Sequence, residues 1–294
     1  MACDVIAPAL TPRRPGQRIK TDRRDAAKLV RFFRAGELTA IHVPAEAEEA
    51  GRDLIRCRDD IRRDVLRWRH RTLKLLTRHG RNYLGGKNWS RGHWTWLRTQ
   101  HFDLAPLQRA FEATLFALEQ ALARQAELDK EIETLALTDP YREPVGWLRC
   151  FRGLDTLSAM ILVAEIVDFQ RFRRPRALMA YLGLVPTEYS SGDTQRRGAL
   201  TKAGNTHARR VLIEAAWHYR HRPTVGPALA SRSQNQPPAI LAQAWRAQQR
   251  LHRRYRHLIG HGKRPPVAVA AIARELVGFI WAAMTGRESR LPVA

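Results

Sequence analysis

EAEEAGRDLIRCRDDIRRDVLRWRHRTLKLLTRH, residues 46–79, is the stretch on which the fold turns. Within it Leu54, Ile61, Trp68 and Leu75 recur every seven residues. That is the spacing of a seam along which two helices wind together, and it predicts one long helix from about Glu46 to His79. The segment from Arg52 to Arg78 also holds ten Lys/Arg and four Asp, so the other faces of this helix are basic. A loop with Gly80, Gly85, Gly86, Trp89, Trp94 and Trp96 comes next. A second long helix is predicted from about Leu104 to Leu135, with apolar positions at Leu104, Leu107, Phe111, Leu115, Leu118, Leu122, Leu128, Ile132 and Leu135. Together the two resemble an antiparallel coiled-coil hairpin; an ordinary two-helix layer of a bundle fits the same pattern equally well.

Upstream, residues 3–7 (Cys-Asp-Val-Ile-Ala) read as one short buried strand ahead of Pro8, and Leu10 to Gln17 as a loop. Helical pattern begins near Thr21-Asp22 and stops at Gly36. One strand makes no sheet, so this region suggests an α/β domain that has lost its beginning. Downstream, Asp139-Pro140 marks a boundary. Tyr141 to Pro223 is dense in motifs, Thr224 to Pro238 is a polar loop, and Arg246 to Arg264 carries seven Lys/Arg and no acid. The fold class is mainly α.

The chain has 51 Lys+Arg against 28 Asp+Glu, a net charge of +23 over 294 residues. A surplus that large repels itself in a compact state and is tolerated when the partner is a polyanion. Cys3, Cys57 and Cys150 show neither metal-ligand spacing nor a disulfide framework, which points to a reducing cytoplasm. The N-terminus lacks a signal-peptide pattern. The apolar run Val267 to Met284 is broken by Arg274 and Glu275, the mark of a buried helix rather than a membrane span.

Three motifs carry chemistry. In Lys20-Thr21-Asp22-Arg23-Arg24-Asp25-Ala26, Asp22 and Asp25 share a helix face and can aim two carboxylates at one point, as a hard cation such as Mg²⁺ requires. Asp22 acting as helix cap, with Asp25 in the first turn, explains the same spacing. The run Trp147 to Ala159 reads as helix, glycine hairpin, helix, which presents N–H groups and a helix N-terminus to phosphate; a plain helical hairpin is the alternative. The third runs from Gly183 to Gly198 and contains Ser190-Ser191-Gly192. A serine before glycine in a tight turn can expose its hydroxyl for attack on phosphorus, with Arg196, Arg197 and Lys202 beside it to hold phosphates. Ser-Gly turns are common, and it is the basic setting that gives this one weight. Gly204-Asn205-Thr206 opens a basic helix that includes Arg209 and Arg210.

Cys3-Asp4-Val5-Ile6-Ala7-Pro8, Lys20 to Ala26, Leu182-Gly183-Leu184-Val185-Pro186, Ser190-Ser191-Gly192, Arg196-Arg197-Gly198 and Thr201-Lys202-Ala203-Gly204-Asn205, in this order, resemble the IS110 family of insertion-sequence transposases, in particular its IS1111-like branch. The resemblance covers essentially the whole chain. It implies residues 1–45 as the end of a RuvC-like (RNase H-like) domain, 46–138 as a coiled-coil hairpin, and 139–294 as a helical transposase domain with a helix-hairpin-helix-like element. It implies a DNA recombinase in which Ser191, with Ser190 as fallback, attacks a phosphodiester to leave a 5′-phosphoserine link. Asp22 and Asp25 would be two of four acids that bind Mg²⁺. Arg196, Arg197, Lys202, Asn205, Arg209 and Arg210 would contact nucleic acid. The partners implied are DNA, an element-encoded structured RNA, and a second copy of the chain through the coiled coil, in the cytoplasm on the nucleoid and away from membranes.

The family pattern begins with further strands bearing an Asp and a Glu that have no counterpart here. A truncated chain, inactive alone, is therefore expected. The competing reading is a non-catalytic nucleic-acid-binding fragment that associates with a full-length transposase. A ribosomal-type RNA-binding protein fits the composition but leaves Ser191, Asp22 and Asp25 as coincidence.

Overall fold

The structure is a computed structural model, described for residues 3–7, 11, 21–191, 194 and 196–287. It is mainly helical and divides into two units, residues 1–49 and 50–294.

In the first unit, α1 (Asp22–Arg34) begins at Thr21, whose hydroxyl accepts from the Arg24 N–H at 3.4 Å. Thr21, not Asp22, is thus the cap. Asp22 and Asp25 both lie in the first turn, where the positive end of the helix dipole favours carboxylates. No residue of α1 is buried; Val30 and Phe33 are 60% and 68% exposed. The predicted strand at 3–7 is present as a single antiparallel bridge, Ile6 opposite Ala40, with the Ile41 N–H donating to the Val5 carbonyl at 2.8 Å. A strand needs a ladder of partners, and the described residues of this unit supply one rung.

The second unit opens with a hairpin of two long helices. α2 (Glu46–Arg78) enters it at Ala50, and α4 (Ala105–Leu135) returns after the short α3 (Arg91–Arg98). The buried line along α2 is Ile55, Arg58, Val65, Thr72 and Leu76. Arg58, Val65 and Thr72 keep the heptad spacing but fall three residues before Ile61, Trp68 and Leu75, and Ile55 and Leu76 follow Leu54 and Leu75 by one, so the expected positions are half-buried on the flank of this line. The physical reason is that two seam positions are polar and satisfied. Arg58 donates to both oxygens of Asp129 on α4 at 2.6 and 3.2 Å, and Thr72 Oγ1 bonds the Trp68 carbonyl. The apolar seam positions share clusters with α4 in antiparallel order: Ile55 and Ile132 in the main core, Val65 with Leu118 and Ala121, and Leu76 with Phe111 in two smaller ones.

The rest of this unit is a helical body: α5 (Arg142–Arg149), α6 (Thr156–Ile166), α7 (Pro175–Tyr181), the two-stranded hairpin β1 (Pro186–Glu188) and β2 (Arg197–Leu200), α8 (Thr206–Ala216), α9 (Pro227–Arg232), α10 (Pro238–Gly260) and α11 (Pro265–Thr285). Its centre is α11, which packs on α5, α7, α8 and α10 and buries Ala268 to Ala283 almost throughout. By length and composition α11 could cross a membrane. Here it is the core helix, and the Trp281 indole N–H reaches the Phe172 carbonyl at 2.8 Å. α6 is buried from Ala159 to Ile166 and apolar over that run except at Glu165.

Candidate functional site

The β1–β2 hairpin leaves this body between α7 and α8, and two glycines set its base. Gly183 has φ +64° and Gly204 φ +76°, the left-handed region that favours glycine. A Cβ at Gly183 would strike the Ala203 carbonyl oxygen, and one at Gly204 the Tyr181 carbonyl oxygen. Gly204→Ala should therefore cost at least about 2 kcal/mol, read as a shift in denaturant midpoint. An unchanged midpoint would mean the chain relaxes freely there.

Pairing runs from Pro186 opposite Leu200 to Glu188 opposite Arg197. Beyond it the Tyr189 N–H meets the Arg196 carbonyl at 2.9 Å, and Ser191 and Thr194 exchange N–H···O bonds of 3.2 Å. Ser191 thus sits in a tight turn at the hairpin tip and is exposed. Gly192 and Asp193 lie outside the described residues. Ser190 is committed: its hydroxyl donates to Glu188 Oε1 at 2.9 Å. No described side chain bonds the Ser191 hydroxyl.

The residues expected to contact nucleic acid divide into two groups. Arg196 and Lys202 are exposed; the Arg197 side chain lies outside the described residues. The others are engaged by the protein. Arg209 donates to the Leu182 and Ala203 carbonyls at 2.9 and 3.0 Å, fastening the hairpin base. Asn205 caps α8, its Oδ1 accepting from the Ala208 N–H at 2.9 Å. Arg210 pairs with Asp59 at 2.8 Å and Glu214 at 3.2 Å. In the α5–α6 turn, Asp155 caps α6 by accepting from the Ser158 N–H at 2.8 Å. Its carboxylate stands at the helix end where a phosphate would sit, and Arg152 turns to the Arg222 carbonyl at 2.7 Å.

Sequence reasoning missed the buried polar network beneath the hairpin. Glu165, on α6, accepts two bonds from Arg56 on α2 (3.1 and 3.0 Å), one from Asn205 Nδ2 (2.6 Å), and faces His207 Nδ1 at 3.2 Å. An ionised carboxylate only accepts, so Nδ1 carries the proton. The other nitrogen, Nε2, lies 3.6 Å from Asp59 Oδ1. Asp59 is held by Arg62, Arg63 and Arg210 at 2.8 to 2.9 Å. The side chains of Glu165 and Asp59 are 1% and 4% exposed. Burial alone would raise Glu165; the donors His207, Arg56 and Asn205 outweigh it and hold the carboxyl at about 2. Asp59 is likewise depressed, burial being overcome by Arg62, His207 and Arg210. Guanidinium groups occupy these oxygens, so the network is a clamp from α2 to α6 and α8. One signal in the sequence pointed to it: Glu165 is a single acid inside the apolar run Met160 to Ile166, and a buried acid must be paired.

Asp22 is exposed and Asp25 half-buried. Among the described residues no three His, Cys, Asp or Glu are grouped as metal ligands.

The model of the IS116/IS110/IS902 transposase family matches residues 147–229, from α5 into α9, a span that includes the serine hairpin and Glu165. The chain is 41% identical over 292 residues to a transposase of Sinorhizobium fredii, y4qE, covering 98% of this chain and 70% of that protein. It is 35% identical over 259 residues to the transposase for insertion sequence element IS1533 of Leptospira borgpetersenii, covering 87% and 75%. A shorter match, 38% over 64 residues, is to the transposase for IS1111A of Coxiella burnetii, covering 22% of this chain and 18% of that protein. On the length and identity of these matches, the chain belongs to the IS116/IS110/IS902 family of insertion-sequence transposases.

Proposed function

We propose that the chain joins the DNA ends of an insertion sequence, with Ser191 as nucleophile. The observation that carries this reading is the hairpin: an exposed serine at its tip, uncommitted among described side chains, with Arg196 across the turn. Ser191 Oγ attacks the phosphorus of a phosphodiester. The Oγ–P bond forms and the P–O3′ bond breaks; the serine proton passes to solvent or a nearby base, and the 3′ oxygen takes one up. The 5′-phosphoserine stores the bond energy until a 3′ hydroxyl of the partner strand attacks and releases the serine. Arg196 and Lys202 hold the flanking phosphates and offset charge on the reacting oxygens. The Ser190 hydroxyl is engaged by Glu188, and Ser190 is the alternative nucleophile.

Asp22 and Asp25 are proposed as two oxygen ligands for Mg²⁺, which would lower the cost of charge on the leaving oxygen. Two carboxylates fall short of a near-octahedral set. That shortfall also favours a second reading, in which this chain binds nucleic acid and works through a full-length transposase. Structured RNA and a second copy of the chain are proposed as further partners, in the cytoplasm on the nucleoid.

The test uses cells carrying the whole element. Rapid denaturation, followed by a denaturing gel, should reveal DNA that migrates with this chain and is released by protease. DNA linked to another transposase and none to this chain would favour the second reading.

A further inference from the structure

The α2–α4 hairpin is divided by charge along its length. From Val65 to Phe102 there are nine Lys/Arg and no Asp or Glu. The half of α2 nearest the body, Glu46 to Asp64, has seven acids and five Lys/Arg, and Asp103 to Leu135 has seven acids and three Lys/Arg. The surplus is therefore gathered at the far end. There Arg71, Lys74 and Arg78, spaced by three and four residues, share one exposed face of α2 and line an open recess of about 630 Å³ with Leu75, Thr77 and Thr114. Among the described residues none of the three meets a carboxylate, whereas Arg63 and Arg67, just inside, pair with Asp60 and Asp64 at 2.8 and 2.5 Å. A cationic face left unneutralised by its own chain costs self-repulsion and is stable against a polyanion.

We infer that this end of the hairpin, centred on Arg71, Lys74 and Arg78, is a docking surface for the phosphate backbone of duplex DNA. The inference rests on the DNA-joining reading and adds the place where the protein grips DNA away from the serine. The aromatic residues of the tip argue against unpaired bases. Trp68, Trp89, Trp94 and Trp96 are half-buried in the hairpin's apolar clusters, and guanidinium groups stack on three of the four: Arg71 on Trp68 (4.5 Å), Arg69 on Trp89 (5.2 Å) and Arg98 on Trp94 (5.8 Å). Rings so engaged form no stacking platform for a single strand. Duplex RNA is recognised by shape, through 2′-hydroxyl and phosphate contacts that span two successive minor grooves, a wider footprint than one short cationic row. A straight row of Lys and Arg along a helix suits successive phosphates of B-form DNA, with no base readout.

The experiment measures binding of the full 294-residue chain to a labelled duplex of arbitrary sequence over a salt series. The variants are Arg71→Glu/Lys74→Glu/Arg78→Glu, the milder triple to Gln, and a charge-matched control on α10, Arg246→Glu/Arg253→Glu/Arg256→Glu. The tip triple to Glu should weaken binding at low salt on the order of tenfold or more and reduce the log–log salt slope by about 2 to 3, while the control changes it less. The Gln triple should show the same slope change with a smaller loss. Equal losses for tip and control, or none at the tip, would overturn the inference while leaving the wild type a DNA-binding protein. A wild type that ignores duplex DNA would instead remove the DNA-joining reading. Matched duplex RNA forms a further arm: RNA bound more tightly than DNA, with that preference lost in the tip triple, would overturn the choice of DNA.

Discussion

Glu165→Ala should destabilise the second unit by about 3 kcal/mol: the carboxylate is buried and holds several donors, while Arg56, half-exposed, can turn to solvent once it is gone. Arg56, Asn205 and His207 all aim donors at this carboxylate. Its loss leaves these donors without their buried acceptor. The loss should appear as a lowered midpoint of chemical unfolding, and Glu165→Gln, which keeps the volume and one acceptor, should lose less. The same residue gives a pH dependence. The folded carboxyl is held at about 2 against an ordinary 4.5. Its contribution is therefore complete above about pH 4.5 and is lost as pH falls towards 2, at a cost of about 3 kcal/mol. Asp59, also depressed, adds in the same direction. Glu165→Gln should flatten this acid limb. A Glu165→Ala protein as stable as wild type would show that the clamp contributes nothing to holding α2 against α6 and α8.

Ser191→Ala should reduce joined element ends in cells carrying the whole element by at least about a thousandfold, since removing a nucleophile leaves binding but no covalent step. The substitution is at an exposed turn and should leave stability within about 0.5 kcal/mol. Ser190→Ala should keep most of the joining, because its hydroxyl is already engaged by Glu188. The reverse ranking, with joining lost in Ser190→Ala and near wild type in Ser191→Ala, would move the nucleophile one residue back.

Local periodicity made the long elements legible. Residues 46–79 and 104–135 read as helices, and α2 and α4 match them within a residue or so. The buried line of α2 lies to one side of Leu54, Ile61, Trp68 and Leu75, large apolar residues on a face that the fold uses as a flank. The buried line instead carries Arg58 and Thr72, whose partners Asp129 and the Trp68 carbonyl are not visible in a heptad count. Thr21 and Asp22 are both good capping residues, so composition could not choose between them. The serine turn was legible from Ser-Gly among basic residues. The clamp under it was not, because Glu165 meets Arg56 across 109 residues and Asp59 meets Arg210 across 151, and such pairings leave no local period. The isolated acid in α6 was the one trace of it.

The most direct measurement maps the amino acid that carries DNA. Protein-linked DNA recovered from cells bearing the whole element is digested with nuclease and protease, and the modified peptide is sequenced by mass spectrometry. The expected product is a nucleotide joined through its 5′ phosphate to Ser191, within the hairpin between Pro186 and Leu200. A nucleotide on Ser190, on Tyr189 or on any residue outside that hairpin would contradict it.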